Sequence, residues 1–289
     1  MKNVWIALLT TLTLYGVEPL VNADWLQSHL EEKDLVVVDV SDAQLYQQGH
    51  IPGSFNAPIS LWREKHGDYL LVKKADEIQK LFERLGIDAE SKVVVYSHHD
   101  NAKDILKATY VLWVMEYYGV KKTALLDGGM VAWKAVKAPL TTKVPRQKKG
   151  TLKAKPNPAL VADLARVKEE IGKSQMIDAR PSVFYFGAKK QGVLQKAGHI
   201  PGAKSYFWQY SFEGDYLKKP KVLKEMLVEG LGFDPKKPMI TYCTGGLETS
   251  MNFFVLHRLL GFEKIRLYDA SMREWGNRTD TPMQVYRWE

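Results

Sequence analysis

Cysteine is almost missing from this chain. Cys243 is the single one in 289 residues, so no intramolecular disulfide can form and no cysteine-built metal cluster is available. Long apolar runs are missing as well. The longest opens the chain, eleven uncharged residues from Val4 to Leu14, and a membrane-spanning helix needs roughly 20. With 21 glycines, 13 prolines, 45% hydrophobic and 26% charged residues, the chain is neither collagen-like nor disordered. Its length suits two domains of about 130 residues, each large enough for its own core.

The basic balance, 41 Lys and Arg against 33 Asp and Glu, gives a net charge of +8. Such a balance suits nucleic acid, anionic lipid or a small anionic substrate. The one dense basic stretch, Lys143 to Lys155, holds no aromatic residue to stack a base, so it predicts a solvated linker and no nucleic-acid surface. Lys2 followed by the short apolar run fits a secretory signal. Residues 1–17 are therefore expected to be a signal peptide, giving a periplasmic or otherwise exported protein with no stable membrane association after processing. The alternative is a cytoplasmic protein with a buried amino-terminal segment.

What the chain does have is an internal repeat. Gly49-His50-Ile51-Pro52-Gly53 recurs as Gly198-His199-Ile200-Pro201-Gly202. Each copy follows an apolar segment with an aspartate (Asp39, Asp178) and precedes a second apolar segment, Lys92 to Tyr96 and Pro238 to Tyr242. An amphipathic helix and a third strand with Asp127 or Asp269 follow, then Trp133 or Trp275. The offsets are 139 residues for the first aspartates, 149 for the histidines and 142 for the tryptophans. Short, wholly apolar strands separated by helices predict parallel sheets covered on both faces. The fold class is α/β: two tandem domains, 18–140 and 158–289, joined by a linker over 141–157.

Ligands collect outside the carboxyl ends of parallel strands. Cys243 stands there, opening Thr244-Gly245-Gly246-Leu247-Glu248-Thr249 before a helix. Two glycines let the loop curl and turn its N–H groups inward, forming with the helix start a cradle for an anion. A thiol held there is expected to have a lowered pKa and to react as the thiolate.

The tandem units, the paired GHIPG segments, the loop cysteine of the second unit, and Asp269 with Glu274-Trp275-Gly276-Asn277 are similar to the two-domain rhodanese family, the thiosulfate and 3-mercaptopyruvate sulfurtransferases. The resemblance runs from about Leu20 to Met283. It implies that only the second domain is catalytic, in keeping with Ser97 at the cysteine's position in the first. It implies further that Cys243 takes a sulfane sulfur from a small anionic donor as a persulfide and passes it to cyanide or a thiol. No metal or other cofactor is implied. A persulfide anion needs hydrogen-bond donors, and the amides of Thr244, Gly245, Gly246, Leu247, Glu248 and Thr249 can supply them. His50 and His199 occur in both copies and are assigned to holding the Pro-Gly turns. Adjacent His98 and His99 with Asp100 are read as a surface loop, not a metal site.

Three departures bear on the donor. The loop matches neither a thiosulfate-type nor a mercaptopyruvate-type sequence, and it carries Glu248 where a neutral or basic residue is usual. Phe184 occupies the place of an arginine, and Lys196 stands where arginine is usual before the second GHIPG. Without the arginine clamp mercaptopyruvate is disfavoured, leaving thiosulfate. Glu248 is expected to pair with Arg180 or Arg273, with Arg180 favoured, leaving Lys196 to attract the donor. Of the aromatic segment, Tyr185 and Trp208 are candidates for the pocket mouth. Two other readings remain: a sulfur-carrier or redox-sensing module with little turnover, and a phosphatase of the same fold, which would need a loop arginine that is absent.

Overall fold

The computed structural model describes residues 17–98, 103–146 and 148–288. The apolar run that suggests a signal peptide, and His99 with Asp100, lie outside the described residues. In the first domain β1 (Leu20–Val21), β2 (Leu35–Asp39), β3 (Phe55–Asn56), β6 (Lys92–Tyr96) and β7 (Lys122–Leu126) form a parallel sheet in the order β1-β7-β6-β2-β3. A separate antiparallel hairpin pairs β4 (Arg63–His66) with β5 (Tyr69–Val72). In the second domain β8 (Gln175–Asp178), β9 (Ala203–Ser205), β12 (Met239–Tyr242) and β13 (Ile265–Leu267) form a parallel sheet in the order β13-β12-β8-β9. Its own hairpin joins β10 (Phe212–Glu213) to β11 (Tyr216–Leu217). Val161 bridges Leu267 in parallel, at the place β1 holds beside β7. The repeat in the sequence is thus a repeat of sheet topology, as expected.

The central strands of the first domain are buried on both faces because valine runs leave no polar side. Val93, Val94, Val95 and Tyr96 are all 0% exposed, and their β-branched side chains suit the pleated surface. The two domains share one apolar cluster that includes Trp113 of the first and Phe253 and Phe254 of the second. The helix Asp104–Tyr117 runs through it, buried nearly all round, as a helix enclosed by two layers must be. It packs on the helix Leu247–Phe253 that follows the cysteine loop.

The basic segment after residue 141 is pinned along the first domain. Gly150 N donates to Glu83 O at 2.9 Å, Leu152 N to Ile87 O at 3.0 Å and Asn157 N to Tyr117 O at 2.7 Å.

The GHIPG histidines serve the turns. His50 Nδ1 lies 2.8 Å from Tyr46 O and its ring stacks on Tyr46. His199 Nδ1 lies 2.8 Å from Tyr185 O and stacks on Tyr185. In each copy the tyrosine ending the central strand, Tyr96 or Tyr242, accepts the N–H of the turn isoleucine at 3.1 Å.

Candidate active site

Strand β12 ends at Tyr242 and delivers Cys243 to the carboxyl edge of its sheet. The following loop is tight because Gly246 adopts φ +92°, a region that favours glycine. A Cβ there would lie 2.2 Å from Asp269 Oδ1. The turn aims Gly246 N–H at the sulfur, 3.1 Å from Cys243 Sγ, and the amides of Gly245 and Thr249 also favour the thiolate. Ser271 Oγ accepts Cys243 N–H at 3.1 Å and fixes the strand end. Cys243 itself is 1% exposed.

A cleft of about 710 Å³ opens over the cysteine, and both domains build it. The first contributes the β4–β5 hairpin and the start of the helix Asp104–Tyr117; the second contributes Cys243, Thr244, Gly245, Leu247 and Glu248. Gly246 and Thr249 lie behind the surface and offer only backbone. Five basic residues (Arg63, Lys65, Lys103, Lys107, Arg273) face three acidic ones (Asp68, Asp104, Glu248), so the wall favours an anion.

Four expectations are corrected by this geometry. The thiol is not acidified: burial first, and the charge of Glu248 second, push Cys243 up to about 12 against the loop amides. Three amides do not offset the loss of water around a buried sulfur. Second, Glu248 does not pair with Arg180. Arg180 is itself 1% exposed and forks onto Asp178, with Nη2 at 2.6 Å and Nε at 3.0 Å. It also donates to Gly198 O at 2.7 Å, and it does not reach the cleft. Arg273 lines the cleft but donates to Asp68 O at 3.0 Å. Glu248 instead takes the hydroxyl of Thr244 at 3.2 Å, and burial raises its pKa against the opposing charge of Lys103. Third, Lys196 points away from the cleft, donating to the carbonyl and, at 2.8 Å, the hydroxyl of Thr281. Fourth, Tyr185 and Trp208 are buried in the domain and do not form the mouth; Tyr69 of the first-domain hairpin does.

Phe184, at the place of the family arginine, also stays off the cleft wall. His98, expected in a surface loop, is buried with Nε2 3.1 Å from Asp39 Oδ2. Among the described residues no group of three or more His, Cys, Asp or Glu side chains could hold a metal ion.

Two site residues carried no sequence signal. Gln191 sits in a polar loop and ties Thr244 Oγ1 by a 2.8 Å bond, holding the residue after the cysteine. Arg63 reaches across from the first domain. Its Nη2 lies 2.7 Å from both Leu70 O and Gly245 O and 3.4 Å from Asp269 Oδ1. Asp269 also accepts Val72 N–H at 2.8 Å and Tyr110 O–H at 2.8 Å, so three first-domain groups converge on it. The other half mirrors this contact in part: Leu217 N of the β10–β11 hairpin donates to Asp127 at 3.0 Å. Arg63 pairs with Val72 across its hairpin, and the residue pairing with Leu217 is Phe212, so the mirrored corner has no arginine.

The Rhodanese-like domain family matches residues 22–136 and 163–278. A Synechococcus elongatus protein named "Putative thiosulfate sulfurtransferase" is 34% identical over 87% of this chain and 80% of its own length. The sulfur carrier protein TtuD of Thermus thermophilus is 34% identical over 92% of this chain and 96% of its own. Among solved structures, SseA from Escherichia coli, described as a 3-mercaptopyruvate sulfotransferase, superposes with a TM-score of 0.77 at 25% identity, covering 88% of this chain and 99% of that one. EanB superposes at 0.82 with 21% identity over 94% of this chain and 71% of its own, a likeness of fold.

Proposed function

From the premise that this chain belongs to the rhodanese family and is a sulfurtransferase, we propose that it moves the outer sulfur of thiosulfate through a persulfide on Cys243 to cyanide or a thiol. The observation that carries this reading is the single cysteine at the floor of a cationic cleft with a loop N–H 3.1 Å from its sulfur. The relatives' names favour thiosulfate over other donors. The thiolate attacks the outer sulfur, a sulfur–sulfur bond forms at Cys243, and the sulfur–sulfur bond of thiosulfate breaks to release sulfite. The persulfide anion then sits on the amides of Gly245, Gly246 and Thr249, donors fixed before the charge arrives. Cyanide attack on the terminal sulfur releases thiocyanate and restores the thiolate.

The test is the mass of Cys243 after incubation with thiosulfate, followed by thiocyanate release on adding cyanide. Wild type should gain one sulfur atom and turn over repeatedly, and Cys243→Ser should do neither. Appreciable transfer by Cys243→Ser would falsify the reading. A second reading, a sulfur carrier with little turnover, draws on the Thermus thermophilus relative and on a thiol held well above the ordinary range. One loaded sulfur that is released only to a protein partner would favour it.

The apolar run behind Lys2 further suggests export, with processing before β1 so that Leu20 stays paired with Leu125. No helix among the described residues is long and apolar enough to cross a membrane.

A further inference from the structure

We infer that Arg63 of the first domain is a positioning residue for sulfur chemistry in the second: by holding Gly245 O it turns the Gly245–Gly246 peptide so that its N–H faces Cys243 Sγ. The carbonyl and the N–H of one trans peptide point in opposite directions. Gly245 O lies 2.7 Å from Arg63 Nη2, and Gly246 N, across the same peptide plane, lies 3.1 Å from the sulfur. The two contacts are therefore one constraint. A glycine pair is the part of the chain most able to flip such a peptide, and Gly246 already sits at φ +92°. Something must choose between the two orientations, and the carbonyl's partner does so.

The geometry of Arg63 speaks against a simple counter-ion role. An arginine serving a carboxylate takes two parallel bonds, as Arg180 does with Asp178 at 2.6 and 3.0 Å. Arg63 gives its short bonds to two backbone carbonyls and leaves Asp269 at 3.4 Å on one oxygen. Its Nε is buried without a hydrogen-bond partner, so the side chain is not placed to satisfy itself. The Leu70 carbonyl anchors the guanidinium to its own hairpin, and Asp269 and the face of Tyr110, 4.5 Å away, hold it from the sides. The first domain, lacking a nucleophile at Ser97, thereby takes part in the chemistry through one amide.

This inference gains its purpose from the persulfide reading, but its test does not require sulfur transfer. The probe is the rate at which iodoacetamide alkylates Cys243 as a function of pH, in the whole chain. Other titratable and charged groups surround this sulfur and its neighbours: Glu248 in the loop, Asp269 against Gly246, Lys103 and the Lys107–Asp104 pair on the first-domain helix, the Arg180–Asp178 pair and the neutral phenol of Tyr242 behind it, and Arg273 at the rim. They are left intact. Arg63→Met removes the guanidinium and should move the alkylation profile upward by about one pH unit, with roughly tenfold slower reaction at fixed alkaline pH, the worth of one charge-assisted hydrogen bond. Arg63→Lys, which can still reach a carbonyl, should recover part of this. Tyr110→Phe is the structural control. It removes a 2.8 Å bond to Asp269 in the same buried cluster without touching the loop peptide, and should lower the melting temperature while leaving the profile in place.

An unshifted profile in folded Arg63→Met overturns the inference, and so does an equal shift in Tyr110→Phe. If Arg63→Met does not fold, Arg63→Leu, which also lacks any donor, carries the same test, and an unshifted profile there counts equally against it. A shifted profile combined with failure to accept sulfur from any donor would leave this inference standing and remove the persulfide reading alone.

Discussion

Replacing Glu248 by glutamine keeps the size of the side chain and its ability to accept the Thr244 hydroxyl, while removing a charge. Burial is the first cause of the high thiol pKa and Glu248 the second, so the substitution isolates the second. At a separation of about 5 Å and an effective dielectric near 20, two unit charges interact by roughly 3 kcal/mol, or about two pKa units. Glu248→Gln should therefore bring the thiol down from about 12 by up to that amount, enlarging the thiolate share and easing the approach of a dianion. The gain depends on pH. Burial raises the Glu248 pKa, so the wild-type carboxyl loses its charge at a higher pH than an ordinary glutamate, and the gain shrinks as the pH falls through that value. Thiosulfate kcat/KM should rise tens-fold at about pH 8.5, and the two proteins should converge as the pH falls and the wild-type carboxyl takes up its proton.

Stability carries the same sign. With its folded pKa above the unfolded one, Glu248 binds more proton in the folded state, so its contribution to stability falls as pH rises through the folded value. Glu248→Gln lacks that loss and should melt a few degrees above wild type at alkaline pH, with the gap closing in acid. Parallel measurements of turnover and melting across pH check both statements. Slower turnover in the variant at about pH 8.5 would refute the repulsion argument, because it would mean that the carboxylate assists the reaction.

Two further predictions follow from the loop and the chain start. Gly246→Ala places a methyl group 2.2 Å from Asp269 Oδ1 at a φ that disfavours side chains; thiosulfate turnover should fall by about a hundredfold or more, and retention of wild-type turnover would show that the loop amide is dispensable. Protein isolated from its native host should begin between about Gly16 and Leu20 if it is exported, and an intact Met1 in the soluble cytoplasmic fraction would contradict export.

The sequence carried the parts of this structure that are written locally. Apolar runs, valine-rich in the first domain and Met-Ile in the second, marked the central strands, the two GHIPG segments marked the repeat, and a cysteine shortly before two glycines marked the loop. The parts it concealed depend on distance in sequence. Arg63 and Gly245 are brought together only by packing the first domain on the second, and the strand Arg63–His66 has a polar reading that announces no sheet. The same packing explains the thiol. Its amide donors are neighbours in sequence, while the cover that strips its water comes partly from the first domain. Lys196 was misplaced because its partner Thr281 lies in the carboxyl-terminal stretch, which has no hydrophobic pattern to place it. Arg180 had a nearer partner within two residues, Asp178, and a carboxylate at that spacing outcompetes one on a distant loop.

The exchange of hairpins has a consequence for how the molecule assembles. Strand β5 closes on Asp269 and strand β11 closes on Asp127, so each half carries the fastening of the other. During synthesis the first half emerges with Asp127 unfastened and stays so until Leu217 has been made. The hairpin bearing Arg63 waits longer, because its target arrives only with Asp269. The corner around Cys243 is thus among the last parts of the chain to close, and a partly made protein offers its thiol uncovered. In the finished protein, melting either half removes a fastening from both, so tryptophan signals from the two halves should vanish in one transition. Two separated transitions would mean that the fastenings hold less tightly than their distances imply.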